Sequence, residues 1–177
     1  IGTGLALTGA AIAGVLGLAF KAAAEQEQAT TTLAAAMQNL GTFTQEAIDR
    51  QAAFAAELQN TTVFADEQIT RMQALLVQFG RLSGPELEQA TRATIGFAAV
   101  LGVDLETAAR RVALAVDGVG DGLGRFGVEL DKDATRQERF QTIMEKGIGL
   151  FSIAEAQANT FTGALKQFQN QVNELGE

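Results

Sequence analysis

Cysteine, histidine, tryptophan and tyrosine are all absent from this 177-residue chain, and Pro85 is its single proline. Without cysteine there is no disulfide and no thiolate chemistry, which suits synthesis in a reducing cytosol. Without histidine the chain lacks both the commonest general base and the commonest transition-metal ligand. Serine occurs only at Ser83 and Ser152, neither in a Ser-x-x-Lys spacing, so no hydroxyl is placed for activation as a nucleophile. Positive charge is also scarce: 13 Lys and Arg stand against 21 Asp and Glu, for a net charge of -8 and a pI near 4.6. Phosphate backbones are repelled by such a balance, which excludes sequence-specific nucleic-acid binding by this stretch.

What remains is the composition of helices. Alanine is abundant and Leu, Gln and Glu recur throughout, all good helix formers. Residues 1 to 20 carry no charge and nothing more polar than Thr3 and Thr8, and Lys21 ends the run. As a helix these residues span roughly 30 Å, the thickness of a bilayer's hydrocarbon core. Small residues recur every fourth position on two adjacent rows, Ala6, Ala10 and Gly14 on one and Gly9, Ala13 and Gly17 on the other, a spacing that lets helix backbones approach closely. Leu5, Ile12, Val15, Leu16, Leu18 and Phe20 supply the bulk. Two readings stay open: a helix packed inside a protein bundle, and a helix that inserts into lipid. A secretory signal fits poorly, because no basic region precedes the run.

Downstream, the 3.6-residue period predicts a series of short amphipathic helices. The first continues to about Asn39, with Leu33, Ala36, Met37 and Leu40 as its apolar stripe and Gly41 as its stop. Thr44 caps a second that runs to about Gln59, and a third spans about Asp66 to Phe79, closed by Gly80. Ser83, Gly84 and Pro85 start a fourth that Gly102 ends, and Asp104 caps a fifth bearing Leu105, Ala108, Val112 and Ala115. Asp117 to Gly127 holds five glycines and reads as a loop with at most one helical turn around Leu123 to Phe126. A further helix from about Ala134 to Lys146 carries Phe140, Ile143 and Met144 inward; Gly147 and Gly149 then interrupt it, and helix resumes near Ile153. In the last stretch Phe161, Leu165, Phe168, Val172 and Leu175 are spaced 4, 3, 4 and 3, an a/d seam of two heptads. At that length it reads as the buried face of an ordinary amphipathic helix on a globular core. Val128 to Leu130, the nearest candidate for a strand, is too short to build a sheet.

Motifs with chemical potential resolve into ordinary connectors. Asp117, Val119, Asp121, Gly122 and Val128 overlie a calcium loop, but Val119 and Val128 offer no side-chain oxygen at two of the ligand positions. Gly122, Gly124 and Gly127 have a G-x-G-x-x-G spacing, yet helix precedes them where a dinucleotide site needs a strand. The acidic pairs Glu25 and Glu27, Glu86 and Glu88, and Glu174 and Glu177 read as solvated helix faces. Arg110 and Arg111 point about 100° apart on a helix and form no single anion clamp. No metal, cofactor or catalytic residue is expected.

Three phrases, taken in order, resemble the tail tape measure proteins of bacteriophages. Residues 98–109 read AxxLGVDLExAA, residues 125–130 read RFGVEL, and the run from Glu155 to Asn170 is similar to the AxTxxGALxxLxN stretch of that family, with Phe168 where leucine is more usual. Thr135 to Gly147, and an apolar run ahead of an Ala/Gln-rich helix, extend the resemblance. It implies a structural virion component that lies in the tail lumen or at the tail tip and whose length sets that of the tube. It also implies tail tube and tail tip or baseplate proteins as partners, and self-association in several copies, for instance as a trimer. Residence would be the host cytoplasm during assembly and the host inner membrane during infection, where such proteins assist genome delivery.

The expected architecture is therefore all-α. An apolar, potentially membrane-inserting helix continues into an Ala/Gln-rich helix over residues 1–40, and a small helical domain over 41–177 ends in the heptad-like helix, bundle-like or oligomeric and without substantial sheet. The alternative is a pore-forming or toxin-delivery helical module, which would share the apolar helix and its amphipathic neighbours.

Overall fold

The computed structural model describes residues 9–120, 122–124 and 127–174. Seven helices, and no strand, form among them: α1 (Gly9–Leu40), α2 (Gln45–Thr61), α3 (Asp66–Gly80), α4 (Gly84–Leu101), α5 (Leu105–Val116), α6 (Arg136–Ala158) and α7 (Phe161–Glu174). The all-α expectation holds. Val128 to Leu130 stays irregular.

Local chemistry sets most of the boundaries. Thr44 accepts a hydrogen bond from the Ala47 N–H at 3.1 Å and Asp104 one from the Thr107 N–H at 2.8 Å, so both predicted N-caps satisfy a donor that the helix start leaves free. Thr135 and Glu138 cap α6 reciprocally, the threonine hydroxyl accepting from the Glu138 N–H and the glutamate accepting from the Thr135 N–H. Gly41 and Gly102 take the left-handed conformation just past α1 and α4.

Gly80 closes α3 as expected, but not by taking the left-handed conformation itself. It is the last residue of α3, and the left-handed position falls to Arg81, at φ 50°. Packing explains the exchange. A Cβ on Gly80 would stand 3.3 Å from the Leu82 side chain and 3.4 Å from Ala113 Cβ, so the glycine is used to bring α3 against α5. Arg81 accepts a left-handed strain of about 1 kcal/mol in return.

The core is one continuous cluster. Leu33 and Met37 of α1, Leu58 of α2, Ile69, Met72 and Leu76 of α3, Ile95 and Phe97 of α4, Val112 of α5 and Ile143 of α6 all contribute to it. Each large side chain so buried stabilises the fold by about 1.5–3 kcal/mol. Helix α3 runs through the middle and meets α1, α2, α4 and α5. Between α5 and α6 the chain makes turns, from which Leu123 and Val128 plug the core. Arg136 holds the turns' entry by donating to the Gly80 carbonyl and by pairing with Asp117 at 3.1 Å.

A correction concerns Gly147 and Gly149. They do not interrupt the helix; α6 is continuous from Arg136 to Ala158. Gly147 lies against α4 at the level of Gly96. A Cβ on Gly96 would stand 2.3 Å from the Gly147 carbonyl oxygen, and one on Gly147 would stand 2.5 Å from Ala93 Cβ and 2.7 Å from Phe97 Cε2. The helices therefore touch backbone to backbone, and burial along this seam offsets the roughly 1 kcal/mol that glycine costs in a helix interior. The break comes later, at Asn159 and Thr160. There the Thr160 hydroxyl accepts from the Gly163 N–H at 3.0 Å and starts α7.

These two glycines of α6 are expected to respond oppositely to the same substitution. Gly147→Ala should destabilise by about 2–3 kcal/mol, because the methyl group meets backbone and a packed ring that cannot give way. Gly149→Ala, with nothing within 4 Å, should stabilise by about 0.5–1 kcal/mol. Urea midpoints at unchanged m-value measure both, and a neutral Gly147→Ala would refute the close contact.

Candidate functional site

Helix α7 is an amphipathic helix that is docked by its polar face. Gly163, Gln167, Asn170 and Glu174 are spaced 4, 3 and 4 and form one stripe turned toward the body. Gly163 is seated so closely on the end of α6 that a Cβ would stand 2.1 Å from the Gln157 carbonyl oxygen. Gln167 donates to the carbonyls of Asn60 at 3.3 Å and Thr62 at 3.2 Å, and Gln59 donates to Glu174 at 2.6 Å.

The predicted interface seam runs along the other side, two residues out of step and hence about 200° away. Leu165, Phe168 and Val172 are exposed, at 49%, 62% and 49%. The expectation that this seam is buried on the chain's own core is thereby overturned: α7 is held by amide hydrogen bonds and a glycine seat, and these choose the opposite face. The side chain of Phe161, and Leu175 entirely, lie outside the described residues.

Beside α7 runs a groove of about 840 Å³. Val63 and Phe64 from the α2–α3 connection, Ala98 and Ala99 of α4, and Val103 and Leu105 at the α4–α5 joint give it apolar lining. Lys166, Gln169 and Asn170 form its α7 wall, and Arg71, Asp104 and Glu106 set charges of both signs at its edges. The Asp104 carboxyl is held below its ordinary value by hydrogen bonds from the Thr107 N–H and hydroxyl.

Where α1, α2, α3 and α7 meet, carboxylates and carboxamides form a polar joint. Gln26 of α1 donates to Asp66 at 2.9 Å, Gln59 of α2 accepts from the Asp66 N–H at 2.9 Å, and Asp66 accepts in turn from the Glu67 N–H at 2.9 Å. Asp66 is buried at the N-terminus of α3, where helix polarity favours a negative charge. Glu67, half-buried beside it, is pushed up to about 7. Burial is the main cause; the hydrogen bond and charge of Asp66 add to it, against its own backbone N–H and Arg71. The open space at the joint is only about 20 Å³, room for one water molecule and for no substrate.

Gly9, Ala10, Ile12, Ala13, Gly14, Val15, Leu16, Gly17 and Leu18 lie in the first turns of α1, while Leu5 and Ala6 are outside the described residues. Phe20 is 75% exposed, and from there the first fully buried residue of α1 is Ala29, about two and a half turns on. Among the described residues no helix is long and apolar enough to cross a membrane, and no three acidic, histidine or cysteine side chains converge as metal ligands. Arg110 is exposed and stacks on the Phe79 ring at 5.4 Å. Sequence reasoning did not single out Gln59, Asp66, Glu67 and Gln167; the one available signal was the second 4-3-4 stripe in α7.

No protein-family model, no curated protein and no solved structure matches this chain.

The raised Glu67 sets a pH dependence. A carboxyl that binds its proton more tightly in the fold than in the unfolded chain stabilises fully below its ordinary value of 4.5, and that stabilisation is lost as pH rises through about 7. The chain should thus be more stable at pH 5 than at pH 8. Glu67→Gln should remove most of the difference, on the order of 1 kcal/mol after allowing for solvent screening of a half-exposed group. Denaturant midpoints at the two pH values test this, and equal slopes in wild type and variant would sink it.

Proposed function

We propose that this chain is part of a phage tail tape measure protein, acting as a non-enzymatic helical body in the tail that assists genome passage through the host envelope. The observation that carries the reading is the ordered set of phrases at residues 98–109, 125–130 and 155–170. Their placement supports it. The first phrase contains the Gly102 stop of α4 and the Asp104 cap of α5, and the last contains the Thr160 cap and the Gly163 seat of α7. Residues of both phrases line the same groove.

Within this reading α2 to α6 are not the ruler. A ruler needs helix laid end to end at 1.5 Å per residue, whereas these helices fold back on one another around a common core. They form instead a body at one end of the tail. The outward seam of α7 offers a surface to further copies of the chain or to tail tube and tip proteins. The uncharged run ending at Phe20 is the part suited to the host inner membrane, supported by its composition and by the exposure of Phe20.

In the phage that encodes the chain, in-frame removal of residues 45–158 is expected to leave tails near normal length while lowering DNA delivery. A fully extended helix would instead shorten the tail by roughly 17 nm. Electron microscopy of tails and an ejection assay read the two effects, and absence of the chain from purified tails would reject the assignment. Flotation of the protein with anionic vesicles should depend on residues 1–20. Dye leakage caused by the chain in the absence of tails would favour a pore-forming module.

A further inference from the structure

The present seat of α7 leaves two kinds of group unsatisfied. Leu165, Phe168 and Val172 stand in water, and Asn170 Nδ2 is buried with no hydrogen-bond acceptor. An unpaired buried amide and an exposed apolar stripe both raise the energy of that seat. The groove alongside is open, has apolar lining from Phe64, Ala99, Val103 and Leu105, and is bounded on the α7 side by the polar residues Lys166, Gln169 and Asn170.

We propose that α7 is a strap with two seats, which rolls about its own axis to lay Leu165, Phe168 and Val172 into the groove between the α2–α3 connection and the α4–α5 joint. On a helix of 100° per residue, the seam lies roughly 120° from the mean direction of Lys166, Gln169 and Asn170. A roll of about a third of a turn, without translation, therefore exchanges the polar wall for the apolar stripe. The joint at Asn159 and Thr160 is two residues long and exposed, which permits the motion. The bonds to be released are few: the Gln167 amide to two carbonyls, Gln59 to Glu174, and the contact of Gly163 with the end of α6. The three hydrogen bonds are exposed or part-buried, where water can replace them at low cost, and Gly163 is the one buried contact. Conformational selection between such seats needs only a partner or condition that favours one face of the helix. The inference stands independently of the phage assignment.

The absence of native cysteine makes the test clean, since any disulfide must form between introduced thiols. In the full chain, Ala99→Cys with Leu165→Cys reports the rolled seat, and Ala99→Cys with Lys166→Cys reports the present one. Both pairs are expected to oxidise. Gly163→Ala places a methyl group against the Gln157 carbonyl only in the present seat, so it should raise the rate of the first pair relative to the second by about tenfold. Val103→Cys with Phe168→Cys provides an independent report of the rolled seat should the first pair disturb folding, with unchanged helical circular dichroism as the check. Oxidation confined to the Lys166 pair, or a Gly163→Ala variant that gains no rolled-seat disulfide in either pair, overturns the proposal.

Discussion

Everything on one side of this molecule depends on the backbone contact between Gly96 and Gly147. That contact lets α4 and α6 lie closer than any side chain would allow, and it fixes where the end of α6 falls. Phe97 and Phe151 pack around it, and Gln157 near the end of α6 donates to the Ala99 carbonyl at 3.0 Å. The end of α6 is thus pinned to the end of α4. Because α7 begins two residues later, its position over the groove is a consequence of the glycine seam. Widening the seam by one methyl group would move the groove's wall, the α7 cap and the polar joint together.

The polar joint solves a different problem. From Phe20 onward, Ala29 is the first residue of α1 that is fully buried in the core. Gln26 and Asp66 tie it down at the point where the apolar packing gives out. The anchor is neutral donor to charged acceptor, which is worth more than a bond between neutral groups and avoids the desolvation of a buried ion pair. Its cost appears one residue along, where Glu67 is crowded by Asp66 and by its own burial.

What the sequence made legible was local. Thr44, Asp104, Gly41, Gly102 and Pro85 act on backbone groups within a few residues, so their effects follow from spacing alone. Gly147 was misleading, and the packing role of Gly80 was hidden, for a matching reason. A glycine that ends a helix and a glycine that admits a neighbouring helix look identical along the chain, and only the partner decides between them. At Gly147 the partner is 51 residues away (147 minus 96), and at Gly80 it is Ala113. The groove and the raised Glu67 were invisible for the same reason, since both are made by elements distant in sequence.

Helix α7 shows where amphipathic pattern stops being informative. Its two stripes, Leu165-Phe168-Val172 and Gly163-Gln167-Asn170-Glu174, were both readable, and hydrophobicity argued for burying the first. Docking instead follows what the body presents at that place: free carbonyls of Asn60 and Thr62 at the end of α2, the Gln59 amide, and the bare last turn of α6. Unpaired backbone acceptors at a helix end need donors, and the polar stripe supplies them. Apolar surface, by contrast, is non-directional and can be covered by the groove, by another chain or by lipid. The directional contacts therefore select the seat, and the apolar stripe is left available as the part of the helix that can change partners.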